Sequence, residues 1–249
     1  MITTNFENFV YSITLNRPEK HNAFDAEMIK AITAAVHELP PDARLVLFSG
    51  NGKSFCAGAD VSYMRLQATF SEEQNRDDAK KIAQMFEAIY ELTVPTVVYA
   101  HGNIFGGGLG ILAACDIAIA SDDAKFCFSE VKLGVIPAVI SPFVLRKTGV
   151  GFARRYFLSG EVFSAEVAES AGLISQRISG SASASVLANL LGALTMAGRD
   201  AQKSAKRLLR SYENFEPMSR DQLIFELAKL RSSDDAQVRM KTFLDKAKK

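Results

Sequence analysis

Two apolar runs that each feed into a glycine-rich segment constrain this chain more than any other feature. Leu45-Val46-Leu47-Phe48-Ser49-Gly50 leads into a loop that ends Ser54-Phe55-Cys56-Ala57-Gly58-Ala59-Asp60. Thr96-Val97-Val98-Tyr99-Ala100 leads into His101-Gly102-Asn103-Ile104-Phe105-Gly106-Gly107-Gly108-Leu109-Gly110, which opens a small-residue helix. Continuous apolar runs of this length are strands of the buried type. Glycines at a helix start leave backbone N–H groups bare, where the helix dipole favours negative charge. Two such amides from different loops can converge on one oxygen, which is how an oxyanion hole is built. Glycines after strands also serve tight turns and close helix–sheet packing, so either loop alone decides nothing. A dinucleotide site is not indicated: Gly102, Gly106 and Gly108 do not match G-x-G-x-x-G, and no P-loop Lys-Ser/Thr follows.

The rest of the chain alternates in the same way. Val10 to Leu15 reads as a strand. Asp25 is an N-cap for a helix with Met28, Ile29, Ile32 and Val36 on one face, stopped by Pro40-Pro41. Ser71 to Leu92 is helical by period, and Ile117 to Ala120 and Lys125 to Phe128 are strand-like. Apolar strands alternating with helices indicate an α/β core. From about residue 180 the pattern is helical alone. We therefore expect an α/β core over 1–182 and a helical region over 183–249, with Ser179 to Ser185 as the linker.

Composition excludes several classes. Hydrophobic residues make up 48% and charged residues 23%, which is globular and not disordered. Lys+Arg 29 against Asp+Glu 28 gives +1, so no global positive field points to nucleic acid. Cys56, Cys115 and Cys127 are too few and too scattered for a disulfide framework or a zinc site. The N-terminal residues show no secretory signal and no run is long enough for a membrane span, so the expected setting is cytoplasmic.

Taken in order, these segments resemble the crotonase (enoyl-CoA hydratase/isomerase) superfamily. The resemblance runs through Leu15-Asn16-Arg17-Pro18-Glu19-Lys20-His21-Asn22-Ala23-Phe24, the two glycine segments, and Cys115-Asp116-Ile117-Ala118. It continues in Phe126-Cys127-Phe128-Ser129-Glu130-Val131-Lys132-Leu133-Gly134, Leu158-Ser159-Gly160-Glu161 and Ala171-Gly172-Leu173. It implies an α/β fold: a spiral of ββα units with a helical C-terminal trimerisation region, assembled as a homotrimer or a dimer of trimers. It also implies an acyl-CoA thioester as substrate, with no separate cofactor, no metal, no nucleic acid and no membrane partner.

By the same resemblance, the N–H groups of Ala59 and Gly107 would bind the thioester oxygen and Glu130 would be the catalytic acid–base. Lys20, Ala23, Ala57, Ala59, Asp60, Val61, Ser62, Tyr63, Gly107, Phe243 and Lys246 would contact the substrate. Glu130 stands where family hydratases place one of two acidic residues, but the position of the other is here Gly110. His101, at a strand end beside the site, is a lesser candidate, and the cysteines read as packing residues. Tyr63, Met64 and the stretch Leu66 to Glu73 are expected to cap the acyl end.

Three readings remain open at this level. One is an enoyl-CoA hydratase that adds water across the 2,3 double bond. Its wording around Phe128 to Gly134 and Pro137-Ala138-Val139-Ile140-Ser141-Pro142 resembles bacterial methylglutaconyl-type members. Such substrates carry an extra carboxylate, for which Arg65 or Arg146 could supply the cation. Another is a Δ3-Δ2-enoyl-CoA isomerase with Glu130 as sole base, which Gly110 suits. The last is a non-catalytic CoA- or RNA-binding form of the fold. Near-neutral charge and a single lysine (Lys30) in the first helix argue against RNA, and Glu130 against a dead enzyme.

Overall fold

The computed structural model describes residues 1–179, 183–212, 220–232 and 234–246. The chain opens with an antiparallel hairpin, β1 (Ile2–Glu7) and β2 (Val10–Leu15). They are joined by Asn8 and Phe9, both at positive φ. Two successive left-handed residues give a turn whose twist matches the strands it joins. Sequence reading finds only the second strand, because β1 is largely exposed and exists through its pairing with β2.

Beyond the hairpin the main sheet is parallel. β3 (Leu45–Gly50), β4 (Thr96–Ala100), β6 (Ile117–Ser121) and β9 (Gln176–Ile178) complete the order β1-β2-β3-β4-β6-β9. A second, smaller sheet holds β5 (Asn103–Phe105), β7 (Lys125–Cys127) and β8 (Phe163–Ser164). Two isolated bridges, Phe24 with Ala59 and Cys56 with Ile104, extend this layer toward the N-terminal half.

The repeat is visible in chain order. β2 is followed by the bridge at Phe24 and by α1 (Ala26–His37), and β3 by the bridges at Cys56 and Ala59 and by α2 (Val61–Gln67) and α3 (Glu72–Glu91). β4 is followed by β5 and α4 (Gly107–Ala114), and β6 by β7, a 3-10 turn at Glu130–Leu133 and α5 (Ser141–Ser159). After β8, α6 (Ala165–Ser170) returns the chain to β9. These are the turns of a ββα spiral.

Local chemistry sets the helix starts. The Asp25 carboxylate accepts from Met28 N, and Ser71 with Gln74 forms a capping box at α3. Between the layers Phe48, Phe55, Phe86, Phe126 and Phe128 are fully buried, each worth about 1.5–3 kcal/mol over exposure.

Four helices follow: α7 (Ser183–Met196), α8 (Arg199–Tyr212), α9 (Arg220–Arg231) and α10 (Asp234–Lys246). They dock on the core. The buried Lys206 Nζ on α8 donates to Val94 O at 2.9 Å and to Asp116 Oδ2 at 2.5 Å, and Asp116 also accepts from Thr96 N and Oγ1. Asp116 thus does more than cap a turn, since it ties β4, the start of β6 and α8 together. α9 packs on α3, and α10 on α2 and the 3-10 turn at Glu130.

Ile224 and Leu227, apolar residues of α9 at helical spacing, are buried in their own chain beside Met64, Ala79 and Met240. The side chains of Leu223, Leu230 and Phe243 lie outside the described residues, as do positions 180–182 of the expected linker. Among the described residues no helix is long and apolar enough to cross a membrane.

Candidate active site

The loop after β3 is stitched to the loop after β4 by backbone pairs. Phe55 N donates to His101 O at 2.8 Å, Cys56 N to Asn103 O at 3.2 Å, and Phe105 N returns to Cys56 O at 2.9 Å. This brings Ala57, Gly58 and Ala59 to the same cavity as Gly106 and Gly107. Gly106 sits at φ 49°, ψ −117°, a conformation that favours glycine. Gly107 opens α4 under the ring of Phe24, and a β-carbon there would lie 2.7 Å from Phe24 Cδ2. The N–H groups of Ala59 and Gly107 donate to no acceptor among the described residues, and no side chain caps α4.

Glu130 lines this cavity from just beyond β7, which pairs with β5 in the smaller sheet. β7 ends at Cys127, and the 3-10 turn that Glu130 opens is closed by Gly134 at φ 74°, whose N–H donates back to Glu130 O and Val131 O. Oε1 lies 3.7 Å from where a β-carbon on Gly106 would sit, so the carboxyl group adjoins the glycine segment. Oε2 is enclosed and has no hydrogen-bond partner. Loss of water pushes the pKa up to about 7, opposed by the residue's own N–H and by the positive charge of Arg231. Both protonation states are therefore populated near neutral pH, which suits a group that gives and takes protons.

The cavity measures about 520 Å³ and its walls are mainly apolar, including Phe24, Met64, Ile82, Phe86, Leu133, Ile136, Val139 and Ile140. Gly110 lies outside this lining, fully packed within α4. A β-carbon on it would fall 2.4 Å from Phe86 Cζ and 2.6 Å from Ile140 Cγ2. The space that a second acidic side chain would need is occupied by these two apolar groups. Replacing Gly110 with Glu therefore cannot simply restore a missing partner.

One part of the lining is polar, and of its residues sequence reading singles out only Tyr63. Asp78 of α3 accepts from the Tyr63 hydroxyl, from Gln67 Nε2 at 2.7 Å and from Arg231 Nη1 at 2.9 Å. Tyr63, Gln67 and Arg231 all line the cavity. Burial and the adjacent Asp78 carboxylate push the tyrosine pKa up, so its hydroxyl stays protonated. No local motif marks this cluster: its members come from α2, α3 and the last residue of α9, and only packing joins them.

The other expected site residues divide clearly. Ala57, Ala59, Tyr63, Gly107 and Glu130 line the cavity, whereas Lys20, Ala23, Asp60, Val61, Ser62 and Lys246 do not. Asp60 turns inward, accepting from Ser62 N and Tyr63 N as the cap of α2 and pairing with Arg17 at 2.8 Å. Lys20, Ser62 and Lys246 are exposed, and Ala23 is buried.

Neither arginine expected near the acyl end lines the cavity. Arg65 is exposed on α2 and Arg146 stacks over Tyr90 and Phe143. His101 Nε2 is paired with Gly52 O at 2.8 Å and is also off the lining. All three cysteines are buried and free, and burial pushes Cys56 and Cys115 up to about 12. Cys127 alone among them touches the cavity.

Comparison with known proteins agrees with this architecture. The family model described as enoyl-CoA hydratase/isomerase matches residues 5–249. A relative from Mycobacterium leprae, named "Probable enoyl-CoA hydratase", is 30% identical over 240 residues, covering 94% of this chain and 91% of its own. A Dictyostelium discoideum relative named as a mitochondrial Delta(3,5)-Delta(2,4)-dienoyl-CoA isomerase is 31% identical, over 68% of this chain and 62% of its own. The match spans 66% of the length of a Thermus thermophilus relative. The crystal structure of an enoyl-CoA hydratase from Shewanella pealeana superposes with a TM-score of 0.83 at 34% identity, covering 98% of this chain and 93% of that one. With its spiral of ββα units, its paired glycine segments and a family match along nearly its whole length, the chain belongs to the enoyl-CoA hydratase/isomerase family, within the crotonase superfamily.

Proposed function

We propose that this chain is an enoyl-CoA hydratase acting on an acyl-CoA thioester through an enolate, with Glu130 moving the proton at the α-carbon. One observation carries the reading: an enclosed, unpartnered carboxyl oxygen shares a cavity with two bare backbone N–H groups from separate glycine segments. Protonated Glu130 gives its proton to the α-carbon as water adds at the β-carbon. The proton that the attacking water sheds returns to the Glu130 carboxylate, which ends the cycle as it began it. The negative charge that gathers on the thioester oxygen is met by Ala59 N–H and Gly107 N–H, donors that need no reorganisation. Proton transfer of this kind requires no redox group or metal. The names of the relatives support hydration.

The packing at Gly110 favours a second reading, Δ3-Δ2 isomerisation. Ionised Glu130 would take a proton from C2 of a 3-enoyl thioester and return it at C4, with no second carboxylate to hold water. The two readings separate by substrate. Hydration removes the 2-enoyl chromophore of crotonyl-CoA, whereas isomerisation creates it from a 3-enoyl-CoA. Loss of absorbance with the first and none gained with the second supports hydration, and the reverse replaces it. Turnover of neither would remove both and leave a binding protein.

The family architecture, with Met196 and Leu209 exposed on α7 and α8, supports assembly as a trimer or dimer of trimers. Light scattering should return three or six times the chain mass, and a monomer at micromolar concentration would defeat the proposal.

A further inference from the structure

The two bare N–H donors sit on different segments, so their separation must be set by something that reaches both. The backbone pairs joining Cys56 to Asn103 and Phe105 end before either donor. Past them, Phe24 bonds to one segment and packs on the other. Its N–H donates to Gly58 O at 2.8 Å and its C=O accepts from Asp60 N at 2.8 Å, a parallel bridge opposite Ala59. Gly58 O and Asp60 N both point at Phe24, so the Ala59 N–H between them points to the other edge.

The ring of Phe24 meets the other donor. A β-carbon on Gly107 would lie 2.7 Å from Phe24 Cδ2 and 2.9 Å from Cε2. Gly106 and Gly107 are thus glycine for different reasons. Gly106 sits at φ 49°, whereas Gly107 begins α4 without a positive φ, so the ring rather than the backbone excludes a side chain there. Phe24 is itself buried and held on both sides. Arg17 Nη2 pairs with Asp60 at 2.8 Å, and Nη1 with Asp25 and, at 3.5 Å, with Ala23 O. One guanidinium therefore ties the neighbours of Phe24 to the residue after Ala59.

We propose that Phe24 is a positioning residue of the oxyanion hole, a rigid spacer between its two donors. Its backbone aims the Ala59 N–H and its ring sets how near the Gly107 N–H can come. The proposal rests on the acyl-CoA reading above and adds how the donors are held in register. A displacement of ~1 Å can cost about 10²-fold in rate. Phe24 acts through the donors, so its effect belongs in kcat and in the polarisation of the thioester carbonyl.

The test uses the full-length protein, with kcat read on whichever of crotonyl-CoA and a 3-enoyl-CoA is turned over. A second readout is the infrared carbonyl band of bound butyryl-CoA, isotopically labelled at its thioester carbonyl carbon. In the unaltered protein the two amides should lower that band below its position in water. Phe24→Leu should lower kcat about 10-fold and Phe24→Ala about 100-fold, with KM changed less than about threefold. The band should return toward its position in water in the same order. A residue that only fills space would lower the melting temperature and leave kcat and the band in place, which overturns the proposal. Phe24→Leu decides this alone if Phe24→Ala does not fold.

Gly107→Ala supplies an independent check. In the unaltered protein its methyl group meets the ring, and the resulting loss in kcat should shrink about 10-fold in a Phe24→Ala background. Equal losses in both backgrounds would show that the ring does not gauge Gly107, and overturn the proposal. If neither substrate is turned over and the band is unshifted in the unaltered protein, the enzymatic reading fails and takes the spacer with it. A shifted band without turnover leaves the hole standing, and the band alone then decides on Phe24.

Discussion

The positions of Glu130 and Gly110 lie in neighbouring parts of the fold, yet they have been built in opposite ways. At Glu130 a carboxyl group is lodged where desolvation raises its pKa to about 7 and one oxygen has no partner. At Gly110 the side chain has been removed and Phe86 and Ile140 fill the space. One position keeps a polar group at a cost in stability, and the other is ordinary close packing. The difference teaches that, among the described residues lining the cavity, Glu130 carries the only carboxyl group available for the proton transfer proposed above. Any water must be held by backbone, by a polar neighbour or by the substrate.

The comparison can be broken most directly at Glu130. Glu130→Gln preserves the size and removes the titrating proton, and should lower kcat by about 10²–10⁴-fold with acyl-CoA affinity nearly unchanged. A folded Gln variant with near-normal kcat would reassign the acid–base role.

Next in size is the effect at Gly110. Gly110→Ala should cost about 1–3 kcal/mol, because the buried ring of Phe86 cannot simply step aside. Gly110→Glu should cost more and yield no gain in hydration. Urea unfolding reads both. A stable Glu variant with faster hydration would show that the apolar filling is not what limits the site.

A pH dependence sharpens the same contrast. The folded-state pKa of Glu130 is raised from 4.5 to about 7, so the native state holds this proton where the unfolded chain has released it. Stability is then lost as pH rises from about 4.5 through 7, by up to the order of 3 kcal/mol from this group. Glu130→Gln escapes that loss. Its unfolding free energy relative to the unaltered protein should rise between pH 5 and pH 8, and a difference flat in pH would mean the carboxyl group is not desolvated.

Much of the framework was legible from local pattern. Asp25 announces its helix by capping chemistry and 71–92 by its period, and the apolar runs at Leu45 and Thr96 read as buried strands. The short strands of the second layer were harder: Lys125 to Phe128 reads as strand-like and holds β7, but β5 has three residues and β8 two, too few for a period to show. Within the site, the glycine segments and Glu130 stood out because backbone geometry and a family spacing single them out. Asp78 and Gln67 did not, since each reads as an ordinary polar residue on a helix.

Sequence alone was enough to determine the spiral's main strands, the family, and that one acid is present where a second is absent. Those properties are carried by residues close together in the chain, whose spacing and type constrain the backbone directly. Only the tertiary structure decided that Phe86 of α3 and Ile140 before α5 close the gap at Gly110. It also decided that Arg231, some hundred positions beyond Glu130 in the chain, lines the same cavity. Burial and charge depend on what surrounds a group in space, and the neighbours that raise the Glu130 pKa and hold Arg231 in place meet only once the helices have packed.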